Sequence, residues 1–284
     1  MADLFCFSIG RKKKMFHVDE NGIGHDVMEV RSTDTDRFFK AKIPFFFTVL
    51  QEAAAKHSTL LHCGIPELVA RENKTWVIVR AKMTIDKLPD WMDNVNIETW
   101  AEDPFKLFAP RLVTGKDDNG GTIFTTISHW VILDLERKRP IRPNEALKYF
   151  RLPDKETRYI DPDIGKLRIA EDFKGFRLPD FIPRTNYYDT DTNGHINNVS
   201  YINWLCDAFP FSFLDSHRLH MIDCHWEKQT FDGDEVAVET YSESQNPLTD
   251  DSPVFFTRIV KKEEDGTLTS VFEAETEWVK KELN

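Results

Sequence analysis

The segment Tyr188-Asp189-Thr190-Asp191-Thr192-Asn193-Gly194-His195-Ile196-Asn197-Asn198-Val199-Ser200-Tyr201 carries the most information about this chain. It places two carboxylates, three carboxamides and one imidazole within a dozen residues, directly before an apolar stretch. Polar groups of this kind are costly inside a protein unless they are exposed or fully hydrogen-bonded. The segment is therefore either an elaborate helix cap or an active site.

A weaker copy of this segment lies in the first half of the chain. Asp34-Thr35-Asp36 precedes Asp189-Thr190-Asp191 by 155 positions, and two further blocks match in the same order at offsets of 141 and 148. These blocks are Asp93–Trp100 with Asp234–Tyr241, and Phe124–Val131 with Phe272–Val279. Three matches in one order predict an internal duplication of a domain of about 140 residues.

The two copies differ where chemistry is expected. In the alignment Asn193 falls opposite Phe38, and His195 falls opposite Lys40. Only the second copy therefore carries a carboxamide and an imidazole at these positions. The difference predicts one active site per chain and leaves the first copy free to shape a binding cavity.

Composition excludes several classes of protein. The chain has 284 residues and 40% hydrophobic content, enough for two domains with cores. It has no apolar run of about 18 residues, so no membrane span is expected, and Met1–Met15 does not have the pattern of a secretory signal. A net charge of −11 argues against nucleic acid as the main partner.

Cysteine usage indicates a cytosolic chain. The four cysteines are scattered without pair spacing and match no common zinc pattern, so we expect reduced thiols, no metal and a cytoplasmic location. They are Cys6, Cys63, Cys206 and Cys224.

Positive charge is clustered despite the acidic balance. Such clusters are ordinarily solvated surface, but they can also dock an acidic partner, because screening makes local charge matter more than total charge beyond about 10 Å. The clusters are Arg11–Lys14, Arg137–Arg139 with Arg142, and Lys148, Arg151, Lys155, Arg158, Lys166 and Arg168.

Hydrophobic periodicity predicts the same elements in both copies: a long helix followed by four strands. The first helix runs from Pro44 to Leu61 after a strand in Met15–Val30, and Gly64-Ile65-Pro66 is expected to end it. The second runs from Ile196 to about Pro210. The strands are predicted at Trp76–Ile85, Val95–Glu102, Lys106–Lys116, Thr122–Leu135, Leu219–Trp226, Glu235–Ser244, Pro253–Lys261 and Thr267–Lys280. The fold class is therefore α+β, with a mainly antiparallel sheet around each helix.

This order of elements, with Asn193-Gly194-His195-Ile196-Asn197-Asn198 opening a helix, resembles the hotdog fold. The chain as a whole is similar to the acyl-acyl-carrier-protein thioesterases, a tandem-hotdog family of plant plastids and bacteria. The resemblance also rests on Trp76–Arg80 and on Trp130–Asp134 running into Arg139-Pro140. It implies an N-terminal hotdog domain at 1–140 that holds the acyl chain, a linker at 141–180 and a catalytic hotdog domain at 181–284.

The resemblance implies hydrolysis of a fatty acyl thioester on acyl carrier protein, which terminates fatty acid synthesis, without a cofactor or metal. Asp191, Asn193 and His195 form the implied catalytic set. The family adds a glutamate shortly before an Asp-x-Val, here Asp234-Glu235-Val236, but Gln229 or Thr230 falls at that place, with Glu227 nearby. We take Gln229 as the fourth site residue, although its carboxamide cannot act as a base.

The chemistry assigns His195 as proton acceptor, since imidazole is the side chain that ordinarily exchanges protons near working pH. Asn193 can hold water or the carbonyl oxygen, and Asp191 can orient a neighbour or serve merely as a turn residue. A helix starting at Ile196 would direct free N–H groups at the developing oxyanion. Asn197 and Asn198 are expected to be structural, either capping the helix or bonding the opposite strand. Asp189 is expected to be a turn residue or a support for the site residues, because Asp34 preserves it in the first copy.

Several alternatives remain open at this stage. The carrier can be coenzyme A instead of acyl carrier protein, or the chain can bind acyl groups without cleaving them, since Gln229 replaces a glutamate. The phenylalanines of the first copy, including Phe45-Phe46-Phe47, either line an acyl tunnel or pack the core. A monomer and a homodimer are both compatible with a tandem hotdog.

Overall fold

The computed structural model describes residues 16–104, 106–143, 148–154, 163–168, 175–191 and 193–281. The helices in these ranges are α1 Ile43–Leu60, α2 Ile65–Glu72, α3 Asn198–Asp207 and α4 Phe211–Ser216. None of these four is both long enough and apolar enough to cross a membrane. The strands are β1 His17–Val18, β2 Gly24–Glu29, β3 Lys74–Ile85, β4 Asn94–Ala101, β5 Ala109–Lys116, β6 Thr122–Asp134, β7 Arg139–Ile141, β8 Phe176–Arg177, β9 His217–Trp226, β10 Val236–Ser242, β11 Val254–Lys262 and β12 Leu268–Lys280.

The twelve strands found in the described ranges belong to one sheet, in the order β1-β2-β4-β5-β6-β3-β9-β12-β11-β10-β8, with β7 beside β6. Each copy contributes one half: β3, β4, β5 and β6 in the first correspond to β9, β10, β11 and β12 in the second. The halves meet where β3 pairs antiparallel with β9, with Ala81 opposite Cys224. The structure therefore confirms the α+β class and the antiparallel character predicted from the sequence.

One hydrophobic core extends across both copies. Phe46 and Phe47 of α1 are buried, the first edge-on to Phe124 at 5.5 Å and the second edge-on to Trp226 of the other copy at 6.1 Å. The helices α1 and α3 contact each other inside this core. These contacts agree with the packing interpretation of the first copy's phenylalanines.

The structure corrects four details of the sequence prediction. The first predicted strand is divided into β1 and β2 by a turn at Gly22, whose φ is +81°. Gly64-Ile65-Pro66 does not end the first helix, since α1 already ends at Leu60. Instead, Gly64 is the N-cap of α2, and Pro66 lies in the first turn of α2, a position that proline favours. The helix predicted from Ile196 begins at Asn198, and Pro210 caps the unpredicted helix α4. Within the predicted linker at 141–180, β8 joins the edge of the sheet, and β7 ends at the first linker residue, Ile141.

Candidate active site

The residues of the candidate site lie on the loop that precedes α3, residues 189–197, here called the Asn–His loop. Its counterpart before α1, residues 34–42, is here called the Phe–Lys loop. In the Asn–His loop, the Asp191 N–H donates to the His195 carbonyl at 2.7 Å. In the Phe–Lys loop, the Asp36 N–H donates to the Lys40 carbonyl at 2.8 Å. Gly194 and Phe39 both have positive φ, +77° and +62°. The described residues of the two loops therefore share their backbone hydrogen bonds and the position of the positive φ, which confirms the alignment of His195 with Lys40.

Asp191 shapes the turn of the Asn–His loop. Its Oδ1 accepts hydrogen bonds from the N–H groups of Asn193 at 2.8 Å and His195 at 3.1 Å. Asp36 accepts the corresponding two bonds in the Phe–Lys loop, at 2.8 and 3.0 Å. Because both copies use the carboxylate in this way, it has a structural role independent of chemistry. The other oxygen, Oδ2, lies 3.4 Å from Asn193 Nδ2 and so orients that carboxamide.

The two groups that distinguish the copies are accessible. Asn193 is exposed and His195 is half-buried, with its ring edge-on to Phe231 at a centroid distance of 5.0 Å. In the Phe–Lys loop the corresponding Lys40 forms an ion pair with Asp90 at 2.7 Å. One loop thus presents a carboxamide and an imidazole, whereas the other has a phenylalanine and a paired ammonium group.

The start of α3 corrects the expected oxyanion site. Asn197 is the N-cap, and its Oδ1 accepts a hydrogen bond from Val199 N–H at 2.8 Å, as the prediction that Asn197 is structural requires. The Ile196 N–H donates to the Thr230 carbonyl at 2.8 Å. The N–H groups of Ile196 and Val199 are therefore already used. Asp189 also has the expected structural role: its Oδ1 accepts from Ser200 Oγ at 3.0 Å.

The three residues considered for the missing glutamate lie in different surroundings. Thr230 is fully buried, and its Oγ1 accepts a hydrogen bond from Tyr201. Glu227 is 3.7 Å from His225, and its charge adds to burial in raising the pKa of Glu273, so it lies within a different charged group. Gln229 is exposed and directly precedes Thr230, whose carbonyl is bonded to the Asn–His loop. Thr230 thus makes the backbone contact itself, and Gln229 is its exposed neighbour in the chain.

The predicted basic clusters are partly neutralised. Arg137 lies 3.9 Å from Asp134, and Arg168 pairs with Glu275 at 2.9 Å. Arg139, Arg142, Arg151 and Lys166 are exposed. Arg11–Lys14, Lys155 and Arg158 lie outside the described residues. Within the part of the chain that the structure describes, no three His, Cys, Asp or Glu side chains are arranged to hold a metal ion.

The fold and the site together define a tandem hotdog protein with an Asn–His loop in one copy. Residues 25–148 match the model of the acyl-ACP thioesterase N-terminal domain, and residues 179–280 match that of the C-terminal domain. Together the matches cover most of the chain. The chain therefore belongs to the acyl-ACP thioesterase family.

Comparisons with individual proteins agree with this assignment. Oleoyl-acyl carrier protein thioesterase 2 of Arabidopsis thaliana is 29% identical over 61% of this chain and 49% of its own length, and the palmitoyl-acyl carrier protein thioesterase of the same plant is 27% identical over 75% and 55%. The chain thus spans about half the length of these two relatives.

Two solved structures show the same fold. They are an acyl-ACP thioesterase from Bacteroides thetaiotaomicron (TM-score 0.76, 20% identity) and the 12:0-ACP thioesterase from Umbellularia californica (TM-score 0.76, 18% identity). Each structural match covers 91% of this chain and 98% of the chain of the solved structure.

Proposed function

We propose that the protein hydrolyses the thioester of a fatty acyl group carried on acyl carrier protein, releasing free fatty acid and so ending chain elongation. The observation that carries this proposal is the presence of Asn193 and His195 on a loop whose counterpart in the same chain has the same backbone but neither group. Membership of the thioesterase family across both copies supports the substrate class.

The proposed reaction needs one base and one polarising group. His195 takes a proton from water as the water oxygen attacks the thioester carbonyl carbon. The tetrahedral intermediate then collapses, the carbon–sulfur bond breaks, and the imidazolium returns the proton to the leaving thiolate. The Asn193 amide donates to the developing oxyanion or holds the attacking water, and a single donor of this kind is worth about 3 kcal/mol.

Asp191 and Gln229 have supporting roles in this proposal. Asp191 keeps Asn193 and His195 in place through the two N–H bonds to its Oδ1 and orients the Asn193 carboxamide. Gln229 can hold water through its carboxamide but cannot accept the proton. The proton therefore goes to His195, which makes the imidazole indispensable.

The proposed carrier is an acidic protein, and two exposed cations at the end of the first copy and the start of the linker offer it a docking surface. Arg139 is the first residue of β7, which pairs with β6, and Arg142 directly follows this strand. In the same proposal the chain works in the cytosol, where the free thiols of Cys63, Cys206 and Cys224 stay reduced.

The test is thiol release from acyl carrier protein charged with C8 to C18 chains, with the matching acyl-coenzyme A esters in parallel. We expect turnover that is faster on the protein carrier and falls by at least about 100-fold in His195→Ala, since general base catalysis contributes 10²- to 10⁴-fold.

The matched control is Lys40→Ala, which alters the same position of the Phe–Lys loop and removes an exposed ion pair of small energetic value. It should retain the wild-type rate. Tight binding of the acyl carrier without turnover would contradict the hydrolase proposal. Equal rates on acyl carrier protein and coenzyme A would contradict the proposed preference for the protein carrier.

A further inference from the structure

A pair of buried hydroxyl groups connects α3 to the segment that carries Gln229 and Phe231. Tyr201 Oη donates to Thr230 Oγ1 at 2.7 Å, and the two residues are 2% and 0% exposed. Burial raises the pKa of the Tyr201 phenol, which therefore stays protonated and able to donate. The same Thr230 accepts the Ile196 N–H through its carbonyl. Thr230 is thus bonded on both sides of the N-cap of α3.

The first copy shows what the fold alone requires at these places. Its backbone bond is the same: Ala41 N–H donates to the Pro89 carbonyl at 2.9 Å, as Ile196 does to Thr230. Four residues beyond the N-cap, however, the first copy has Phe46 in place of Tyr201, and Pro89 occupies the place of Thr230. Phe46 is fully buried. A hotdog helix of this chain therefore packs well without either hydroxyl.

The hydroxyl pair accompanies the polar groups of the candidate site. It occurs in the copy that has Asn193 and His195, and both hydroxyls are missing from the copy that has Phe38 and Lys40. The residue after Thr230, Phe231, has its ring against the ring of His195. Thr230 thus lies in the chain between Gln229 and the residue whose ring contacts the imidazole.

We propose that Tyr201 and Thr230 are positioning residues, whose mutual hydrogen bond holds the 229–231 segment at the distance from the Asn–His loop that catalysis needs. This inference rests on the proposed hydrolase function for its kinetic consequence, but its structural consequence is independent of activity. A displacement of about 1 Å in an active site can cost on the order of 100-fold in rate.

The test variant is the double substitution Tyr201→Phe/Thr230→Val. Removing one hydroxyl alone would leave the other buried without a partner and destabilise the fold, whereas removing both with shape retained is close to neutral. We expect the double variant to keep its unfolding midpoint and its KM, while kcat on acyl carrier protein falls by about 10- to 100-fold.

The matched control is Thr240→Val/Thr257→Val. It removes another buried hydroxyl pair, at 3.1 Å between β10 and β11 of the same copy. This control should keep both kcat and KM. Equal kcat losses in the two double variants would overturn the positioning role, as would an unchanged kcat in the Tyr201→Phe/Thr230→Val protein.

A second measurement tests the inference even if the wild-type protein does not hydrolyse acyl groups on acyl carrier protein. The ring proton signals of His195 are followed by NMR on histidine-labelled protein and assigned with His195→Gln. Because the Phe231 ring lies against His195, loss of the Tyr201–Thr230 bond should change the ring-current shift of these signals, while the threonine control should not. An unchanged His195 signal in the double variant would refute the inference regardless of activity.

Discussion

His57 of α1 is a buried histidine whose environment keeps it neutral. Its side chain is inaccessible, and Arg111 donates to its Nδ1 at 2.9 Å and to Thr99 Oγ1 at 3.1 Å. Burial, followed by the nearby Arg111 charge, lowers the pKa of His57 to about 3. The neutral form therefore belongs to the folded state, whereas the unfolded chain protonates near the ordinary value of about 6.5.

This environment predicts a loss of stability in mild acid. Since the unfolded state binds the extra proton below about pH 6.5, the free energy of unfolding should fall by about 2 kcal/mol between pH 7 and pH 5 because of His57 alone. His57→Gln retains an acceptor for Arg111 but does not titrate, so its urea unfolding should depend less on pH. Parallel pH curves for the two proteins would contradict the prediction.

Among single residues, the sequence predicts which ones are candidates for the site, but it does not predict which residues they contact. The alignment of the two copies singles out Asn193 and His195, because a repeat makes an unshared polar group visible. It does not reveal that Tyr201 and Thr230 touch, since they are 29 residues apart and each is ordinary in its own segment. The replacement of Tyr201 by Phe46 in the first copy was the available signal.

The N-terminus of each long helix is stabilised in a different way. The Asn197 side chain caps α3, whereas Lys42, the N-cap of α1, has no side-chain cap bond and is followed by Pro44. We expect Asn197→Ala to lower the free energy of unfolding by about 1 kcal/mol. Lys42→Ala is the matched control and should change it by a few tenths at most. Denaturant titrations of both variants measure these changes. Equal losses in the free energy of unfolding would show that the hydrogen bond of the Asn197 side chain does not stabilise α3.

Elements with strong periodicity could be predicted from the sequence, and short ones could not. The eight long strands and α1 fall within a few residues of their expected places, because alternating and helical patterns extend over many positions. The helices α2 and α4 have eight and six residues, too few to show a period. Each begins beside a proline, which can indicate either the end of one helix or the first turn of another.

The molecule as a whole is joined by the β3–β9 pairing and by an ion pair across it. Arg80 Nε and Nη2 donate to Asp223 Oδ1 and Oδ2 at 2.9 and 2.8 Å, with both side chains largely buried. The Arg80 Nη1 group also donates to the Gly165 carbonyl of the connector at 2.7 Å. One guanidinium thus links the first copy, the second copy and the segment between them.

Removal of this carboxylate should destabilise the whole chain. Asp223→Ala leaves the Arg80 charge buried and unpaired, for which a loss of about 3 kcal/mol in the free energy of unfolding is expected. Glu235→Ala is the comparison: it breaks the exposed ion pair with Lys262 at 3.0 Å, worth less than about 1 kcal/mol. Calorimetry on both variants measures this difference, and similar melting temperatures would argue against the Arg80 link.

The shared conformation of the Asn–His and Phe–Lys loops has a consequence for how such a protein changes over generations. In a symmetric pair of identical chains, every substitution is inherited by both loops at once, so a change that harms one harms the other. When two units are fused in one chain, a substitution changes only one of the two loops. One loop can then carry Phe38 and Lys40 while its twin carries Asn193 and His195, and this difference needs no change in the backbone hydrogen bonds that both loops share.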